Sequence, residues 1–588
     1  CLELCNDDGL TGYMTPFVWM FISSYEKLRN VIIDKHFINN LIQLEYSGFD
    51  GATVPICTFT LRNNQILDAK GNYIRLSDFK GAKVQAPKTL EAIQNPNCGW
   101  FYTTNQKYFE KIPGSPIGYW LSENIIDNFD EKPLKLIGEI KKGLSTGSVD
   151  RFMRYWHEIE KEKFSSLNSE GKNNFWFPYL KGGGFRRWEG NLKYVVNWNN
   201  LGSEVINFRD EKGKQRSRPQ NVKYYFRKGI TYNALTTYKF STRLIYDSSV
   251  FGGGGDGIFF DNEDYLYYFL ALLNSNVSQT YLDVISPTLN YEVSHIQSIP
   301  SILNLENSIS ELSKECFEIS KKEWDSREMS WDFNVSELLK HKGKDVEESY
   351  ELYQNYWRKK FFKLHQNEEE LNSQFIDIYG LQEELTPDVA LKDITILKEE
   401  TDIVNGELVF DDKEVFTQFM SYAVGCMFGR YSLGKESLIL VNQGETLEDY
   451  FSKVGKLEDE VQFYPDNDNI IPILDDEWFE DDIVGRFYEF LKVSFGKNNF
   501  EKNLAFIEYC LGKEVRSFFI KDFYKIHLKK YRKPIYWMFS SPKGSFNVLI
   551  YMHRYTPDTL NQILNNYLKE YREKLNTKME HLNHLVET

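Results

Sequence analysis

Leu10–Pro16 arranges its apolar and polar residues as a strand does, and after Pro16 the spacing of Trp19, Met20, Leu28 and Ile32 predicts a helix from about Phe17 to Asp34. Ile38–Glu45 and Val54–Leu61 then alternate or run apolar like two buried strands. One helix and three strands cannot cover both faces of a sheet, so this opening reads as the back half of an α/β domain. The chain is therefore expected to be a fragment, or to need a partner that supplies the front half. Much further on, Ile302–Glu323 and Glu347–Gln374 carry apolar residues at helical spacing in a Glu/Lys-rich background, which predicts long helices in a helical spacer. A final α+β region begins near Val415. Within it, Pro534–Ser541 and Phe546–Tyr551 flank Pro542-Lys-Gly544 and predict a hairpin.

Composition narrows the class. A chain of 588 residues has room for about four domains, and 41% hydrophobic with 16% aromatic content supplies their cores. The seven cysteines (Cys1, Cys5, Cys57, Cys98, Cys316, Cys426 and Cys510) are scattered, without a C-x-x-C pair or a histidine at ligand spacing. That pattern points to reduced thiols in a cytoplasmic setting rather than to a disulfide framework or a structural zinc site, and no metal is expected. Apolar runs such as Tyr265–Leu273 are far too short to span a bilayer, so no membrane association is expected.

Charge changes the picture. The chain carries −15 overall, yet Lys181–Ile245 holds fourteen Lys/Arg against four Asp/Glu, interleaved with aromatics such as Trp188, Trp198, Tyr224 and Tyr225. Cations neutralise phosphates and release counterions, while planar rings and guanidiniums meet bases, so the stretch suits nucleic acid. By composition alone, a solvated surface on a β-rich domain fits equally well. The candidate DNA contacts are Lys181, Arg186, Arg187, Asn197, Asn199, Arg216, Arg218, Gln220, Asn221, Lys223, Arg227 and Lys228. Of these, Arg186, Arg187, Asn197, Asn199, Gln220 and Asn221 carry the amide or guanidinium forks that read base edges. Arg216 and Arg218 lie in a Lys/Gln/Ser-rich stretch typical of a loop that tracks the backbone. In the final region, Glu458–Asp482 has eleven acids and no base, while Lys513–Lys543 has nine bases and two acids; the two pair internally, or the basic one adds a second DNA contact.

Several segments carry a family resemblance. Gly12-Tyr-Met-Thr-Pro16 with Trp19, Lys27-Leu-Arg29, and Phe49-Asp-Gly-Ala-Thr-Val-Pro55 resemble the distal half of the methyltransferase fold of N6-adenine DNA methyltransferases. Gly138-Glu-Ile-Lys-Lys-Gly-Leu-Ser-Thr-Gly147 with Asp150, Arg151, Phe152 and Trp156 resembles the opening of a target-recognition domain. Leu272-Leu-Asn-Ser275, Pro287-Thr-Leu-Asn290 and Ile299-Pro300 resemble its close. Ser421-Tyr-Ala-Val-Gly425 with Gly429-Arg-Tyr-Ser-Leu433, and Pro534-Ile-Tyr-Trp537 through Ser540–Phe546 to Met552-His-Arg-Tyr555, resemble the PglX family, the large adenine methyltransferases of BREX-type phage-resistance systems.

The resemblance implies a multi-domain α/β and α+β protein. Residues 1–80 would be the distal half of a partial Rossmann-like methyltransferase sheet, 81–130 a connector and 131–300 a mixed α/β DNA target-recognition domain. Residues 301–400 would be the helical spacer and 401–588 a C-terminal α+β domain. It implies S-adenosylmethionine as cofactor, double-stranded DNA as partner and other BREX components as further partners. The work implied is to recognise a DNA site and present its adenine for N6 methylation; the alternative is a non-catalytic specificity subunit directing a separate catalytic chain. The family's Gly-containing cofactor loop and Asn-Pro-Pro-Tyr motif belong upstream of Leu10, and no Asn-Pro-Pro or Asp-Pro-Pro occurs here, so no catalytic residue is assigned and the chain alone is expected to be inactive. Phe49 matches the aromatic that stacks on the target base, or it is a loop residue covering the sheet end. Phe251–Gly257 formally satisfies G-x-G-x-x-G, but Ile258-Phe-Phe260 intervenes as a strand before any helix, so it reads as a hairpin or loop of the recognition domain.

Overall fold

A computed structural model describes residues 2–48, 55–165, 175–286, 290–305 and 307–587. Phe49, Val54 and Pro287-Thr-Leu289 lie outside the described residues. The first sheet comprises β1 (Leu10–Pro16), β2 (Phe37–Gln43), β3 (Ile56–Arg62), β4 (Gly71–Arg75) and β5 (Phe101–Thr104), in the order β1-β3-β2-β4-β5. β3 is antiparallel to both neighbours, and β2–β4 is the parallel pair. In β3 the buried residues alternate as Cys57, Phe59 and Leu61, and they meet Trp19, Met20, Ile33 and Leu41. Phe109, Ile117 and Tyr119 join the same core. Residues expected as a connector therefore supply both the edge strand and part of the interior of the first unit.

The long helix expected after Pro16 is broken. Phe17–Met20 and Ser23–Tyr25 are 3-10 turns, and the α-helix is confined to Glu26–Lys35. A break leaves carbonyls without helical partners, and a buried donor must take them. Arg29 does so, donating to Trp19 O at 2.8 Å, Ile22 O at 2.7 Å and Gly114 O at 2.6 Å. Leu28, placed by spacing on the inner face, is exposed instead.

Two four-stranded sheets form the next unit. β6 (Glu139–Lys141), β10 (Gly229–Asn233), β11 (Thr242–Ile245) and β13 (Gly255–Phe259) make an antiparallel sheet ordered β11-β10-β13-β6. β7 (Met153–Tyr155), β8 (Trp176–Leu180), β9 (Tyr194–Asn197) and β12 (Val250–Phe251) make the other, ordered β12-β8-β9-β7. The glycine run crosses between them, from β12 to β13. A Cβ on Gly143 would lie 2.5 Å from Phe251 O, one on Gly182 2.4 Å from Gly254 O, and one on Gly254 2.5 Å from Lys181 O. The glycines permit backbone-to-backbone packing where two sheets meet, and no helix N-terminus follows them.

The helices Asn307–Asp325 and Val346–Tyr379 match the expected pair. Asp345 caps the second through the Glu348 N–H at 3.0 Å, and Gly380 ends it in the left-handed conformation. One apolar core runs from Ile125 to Tyr551 and includes Trp357, Phe361 and Phe375 from the long helix. The C-terminal region adds the hairpin β14 (Thr401–Val404)/β15 (Glu407–Phe410), the buried helix Asp412–Met427, and a sheet of β16 (Ile470–Pro472), β17 (Tyr536–Ser540) and β18 (Asn547–Tyr551) ordered β16-β18-β17. β17 and β18 are the expected hairpin.

Candidate nucleic-acid interface

The cation-rich stretch sorts into side chains turned inward and side chains turned to solvent. Arg186 donates to Glu323 Oε2 at 2.6 Å and to the carbonyls of Ser320 and Thr395, with its guanidinium over the Trp324 ring. Arg187 pairs with the Glu368 carboxylate in the interior. Arg243 is also buried, held by Asn233 Oδ1 at 2.7 Å, and burial pulls its pKa down to about 10. Arg186 and Arg187 fasten the two-sheet unit to the long helices, and Arg243 bonds within that unit. Arg186 and Arg187, expected to read bases, are thus engaged inside the protein, Arg186 by Glu323, Ser320 and Thr395 and Arg187 by Glu368.

The asparagine candidates build turns. Buried Asn197 accepts the Asn199 N–H at 3.1 Å and donates to Glu204, and Asn199 accepts the Asn200 N–H at 3.0 Å. Asn221 adopts φ +56° and donates to Lys142 O at 2.9 Å. Asn197 and Asn199 thus each spend Oδ1 on a backbone N–H, and Asn197 and Asn221 each spend Nδ2 inside the protein.

A cation stripe remains outside. Arg216 N–H bonds Phe208 O at 3.0 Å, Arg209 bridges Gln215, and Asp210 accepts the Lys212 and Lys214 N–H groups in the turn between them. Arg218 then pairs in both directions with the backbone of Ser145, at 2.7 and 3.1 Å. Extended backbone sends alternate side chains to opposite faces. Ser217 is fully buried and Gln215 donates inward to Ile206 O and Ser217, while Lys212, Lys214, Arg216 and Arg218 are exposed. None of the four pairs with a carboxylate among the described residues. Alternate positions stand about 6.6 Å apart along such a segment, so Arg216 and Arg218 share one face, and Lys212 and Lys214 extend the cluster of charge into the turn that precedes them. Lys212 and Lys214 stand outside the twelve candidates named from sequence, although the alternation Lys-Gly-Lys-Gln-Arg-Ser-Arg over 212–218 announces them.

The other candidates differ in surroundings. Gln220 is exposed next to this stripe. Lys223 and Arg227 lie over the Tyr224 ring, whose hydroxyl is bonded to Glu139. Arg227 and Lys228 face Asp261 and Glu263 at 3.8 and 3.9 Å around a cleft that Asp247 also lines. Two bases thus stand against three acids, which offset their charge locally. Lys181 is exposed, with Nζ 5.3 Å from the Tyr194 ring, which in turn packs 5.0 Å from Tyr155.

The basic C-terminal segment splits as well. Arg516 is committed to Asp482 at 3.0 Å and Lys530 to Glu328 at 3.1 Å, and Lys513 pairs with Asp522. Arg532 and Lys533 are exposed, and the Lys533 carbonyl meets His157 Nε2 of the two-sheet unit at 3.0 Å. Asp466, Asp468 and Asp481 bring carboxylates within 4.8 Å of one another, and the Tyr567 hydroxyl contacts Asp468 and Asp481.

No protein-family profile matches the chain. It is 34% identical over 605 residues to the adenine-specific methyltransferase PglX of Lacticaseibacillus casei (strain Zhang), covering 99% of this chain and 49% of that protein. It is 33% identical over 607 residues to the adenine-specific methyltransferase BrxX of Escherichia coli O9:H4 (strain HS), covering 99% and 48%. Among solved structures, the Type IIL restriction-modification enzyme MmeI in complex with DNA aligns with TM-score 0.38 and 10% identity over 65% of this chain and 48% of that one. A nuclease-deletion mutant of the Type ISP enzyme LlaGI with a DNA substrate mimic aligns with TM-score 0.31 and 11% identity over 54% and 30%. The chain spans about half the length of the curated relatives it matches, and its similarity to the PglX and BrxX adenine-specific methyltransferases runs along 99% of its own length.

Proposed function

We propose that this chain is the DNA-recognising part of a site-specific N6-adenine DNA methyltransferase of a BREX-type phage-defence system, working in the cytoplasm and presenting an adenine for methylation. The observation that carries the reading is the similarity to adenine-specific methyltransferases along 99% of the chain. The unpaired stripe Lys212, Lys214, Arg216 and Arg218 supports duplex DNA as the partner, because each phosphate neutralised releases counterions. Lys181, Gln220 and Lys223 remain secondary contacts, and Phe49 remains the proposed stacking residue. S-adenosylmethionine would be the methyl donor, but the glycine run at 252–257 does not fit it: the space beside Gly254 and Gly255 is filled by the backbone of Leu180–Gly182. Methyl transfer is therefore proposed to rest on residues outside this chain, and no step is derived through the cofactor. A duplex-binding assay with salt titration and a methyl-transfer assay with labelled cofactor test the reading. We expect salt-dependent binding and no label in DNA from the chain alone. Absence of duplex binding at low salt would overturn it, and label in DNA would return the glycine run to consideration.

A further inference from the structure

The turn Trp198–Gly202 holds three consecutive residues in the left-handed conformation: Asn200 at φ 48°, Leu201 at φ 57° and Gly202 at φ 72°. The segment is well determined by its neighbours. Gly202 N–H bonds Trp198 O at 3.2 Å, and Gly202 lies flat on the Trp198 indole, where a Cβ would come within 2.7 Å of the ring. Asn197 Oδ1 accepts the Asn199 N–H and Asn199 Oδ1 accepts the Asn200 N–H. Asparagine and glycine suit such a turn, whereas leucine is disfavoured there by its Cβ. Leu201 is also 84% exposed, so its side chain gains almost nothing from burial in this chain. Neither backbone preference nor packing explains a leucine at this position.

Its surroundings indicate what does. The turn runs on to Ile206, whose carbonyl accepts Gln215 Nε2 at 2.7 Å, and so joins the cation hairpin directly. On its other flank Glu204 holds Arg151 at 2.6 Å, and Arg151 stacks on Phe208 at the foot of the same hairpin. An apolar side chain is thus presented, on a strained and braced backbone, at the start of the short helix whose far end joins the hairpin of cations that have no carboxylate partner among the described residues. Backbone strain that its surroundings over-determine is a pointer to function.

We propose that Leu201 is a wedge that enters the base stack of duplex DNA lying along Lys212–Arg218. Proteins that kink DNA or extrude a base insert apolar side chains between base steps, and the unstacking cost is repaid by contacts made to the deformed duplex. The inference rests on the DNA reading above and adds to it the place where the duplex is opened.

The test compares binding of a fully paired duplex with the same duplex carrying a central mismatched bubble, at low salt. A bubble has its stacking already broken, so the parent chain should prefer it by about 5–10-fold. Leu201→Gly should bind both duplexes alike, and Leu201→Met should retain the preference. Glycine accepts the left-handed backbone, so the thermal midpoint of Leu201→Gly should not fall, which separates loss of the wedge from loss of fold. A Leu201→Gly chain that keeps the bubble preference overturns the wedge alone, as does a parent chain that binds duplex without any preference. A parent chain that binds neither DNA overturns the DNA reading and the wedge with it.

Discussion

Glu368 accepts the Trp188 indole N–H at 2.7 Å through one carboxylate oxygen and pairs with the Arg187 guanidinium through the other. Arg187 and Trp188 belong to the cation-rich stretch and Glu368 to the long central helix, so this buried junction ties the two-sheet unit to the hub of the molecule. Breaking a buried ion pair from one side leaves the other charge uncompensated, at about 3–5 kcal/mol. Glu368→Ala should therefore destabilise the chain by that amount in chemical denaturation, and Glu368→Gln, which keeps an acceptor for Trp188, by less. Arg187→Ala should lower stability yet leave the ratio of affinities for different DNA sequences unchanged. A changed ratio would restore Arg187 as a reader of bases.

The glycine run makes a second, local prediction. A Cβ on Gly253 would have no atom nearer than 3.9 Å, whereas one on Gly254 would meet Lys181 O at 2.5 Å and one on Gly255 would meet Gly182 N and Leu180 O at 2.8 Å. Gly253→Ala should be neutral or slightly stabilising, since alanine reduces the freedom of the unfolded chain. Gly254→Ala and Gly255→Ala push backbone against backbone and should cost about 1–3 kcal/mol each. Thermal unfolding of the three variants separates the positions. Equal effects at all three would mean that close packing is not what these glycines serve.

What the sequence makes legible is pattern, and what it hides is partnership. The strands at Leu10–Pro16 and Ile56–Arg62, both long helices and the β17–β18 hairpin follow from periodicity and turn residues, because local preference and burial agree there. The helix after Pro16 is shorter than its periodicity predicts because Arg29, a charged residue, occupies the buried face and satisfies carbonyls as far away as Gly114; no local pattern announces such a donor. In the candidate interface, composition locates the stretch but not the direction of its side chains. Arg186 and Arg187 look identical in sequence to Arg216 and Arg218, and only Glu323 and Glu368, more than a hundred residues away, decide which pair turns inward. The alternation at 212–218 is readable in the sequence, but its polar, turn-rich composition reads as a loop; Lys212 and Lys214 do lie in a turn, and only the pairing of Arg216 and Arg218 with Phe208 and Ser145 makes the rest extended.

Affinity for DNA should follow the stripe. Removing a phosphate contact lowers the slope of log affinity against log salt by about 0.9. Arg216→Ala with Arg218→Ala should thus flatten the slope by about 1.8 if both touch phosphates. Arg227→Ala with Lys228→Ala should leave it near the parent value, because Asp247, Asp261 and Glu263 already offset those charges. Anisotropy titrations over a range of salt concentrations check both. A slope unchanged in the first pair would reduce the stripe to solvated surface.

Four buried groups pull stability in opposite directions as pH changes. Burial, reinforced by nearby cations including Arg430, pulls His157 and His527 down to about 3 and His553 to about 4. The unfolded chain binds these protons near pH 6.5, so their contribution is complete above that value and is lost as pH falls toward their folded pKa values. Each histidine withholding a proton costs about 1.4 kcal/mol per pH unit in that window. Glu189 runs the other way. It is wholly buried, with Oε2 unpartnered among the described residues, and burial raises it from 4.5 to about 8. The folded chain keeps that proton while the unfolded chain releases it, so the contribution of Glu189 is complete below pH 4.5 and is lost as pH rises through 8. Above pH 6.5 the histidines fall silent and Glu189 alone of the four sets the slope. Glu189→Gln should consequently gain stability over the parent as pH goes from 6.5 to 8, by about 2 kcal/mol, and the gain should level off beyond. Denaturation midpoints at pH 5, 6.5, 8 and 9 for both chains decide it: a difference that stays constant across that range would mean Glu189 is ionised in the folded protein.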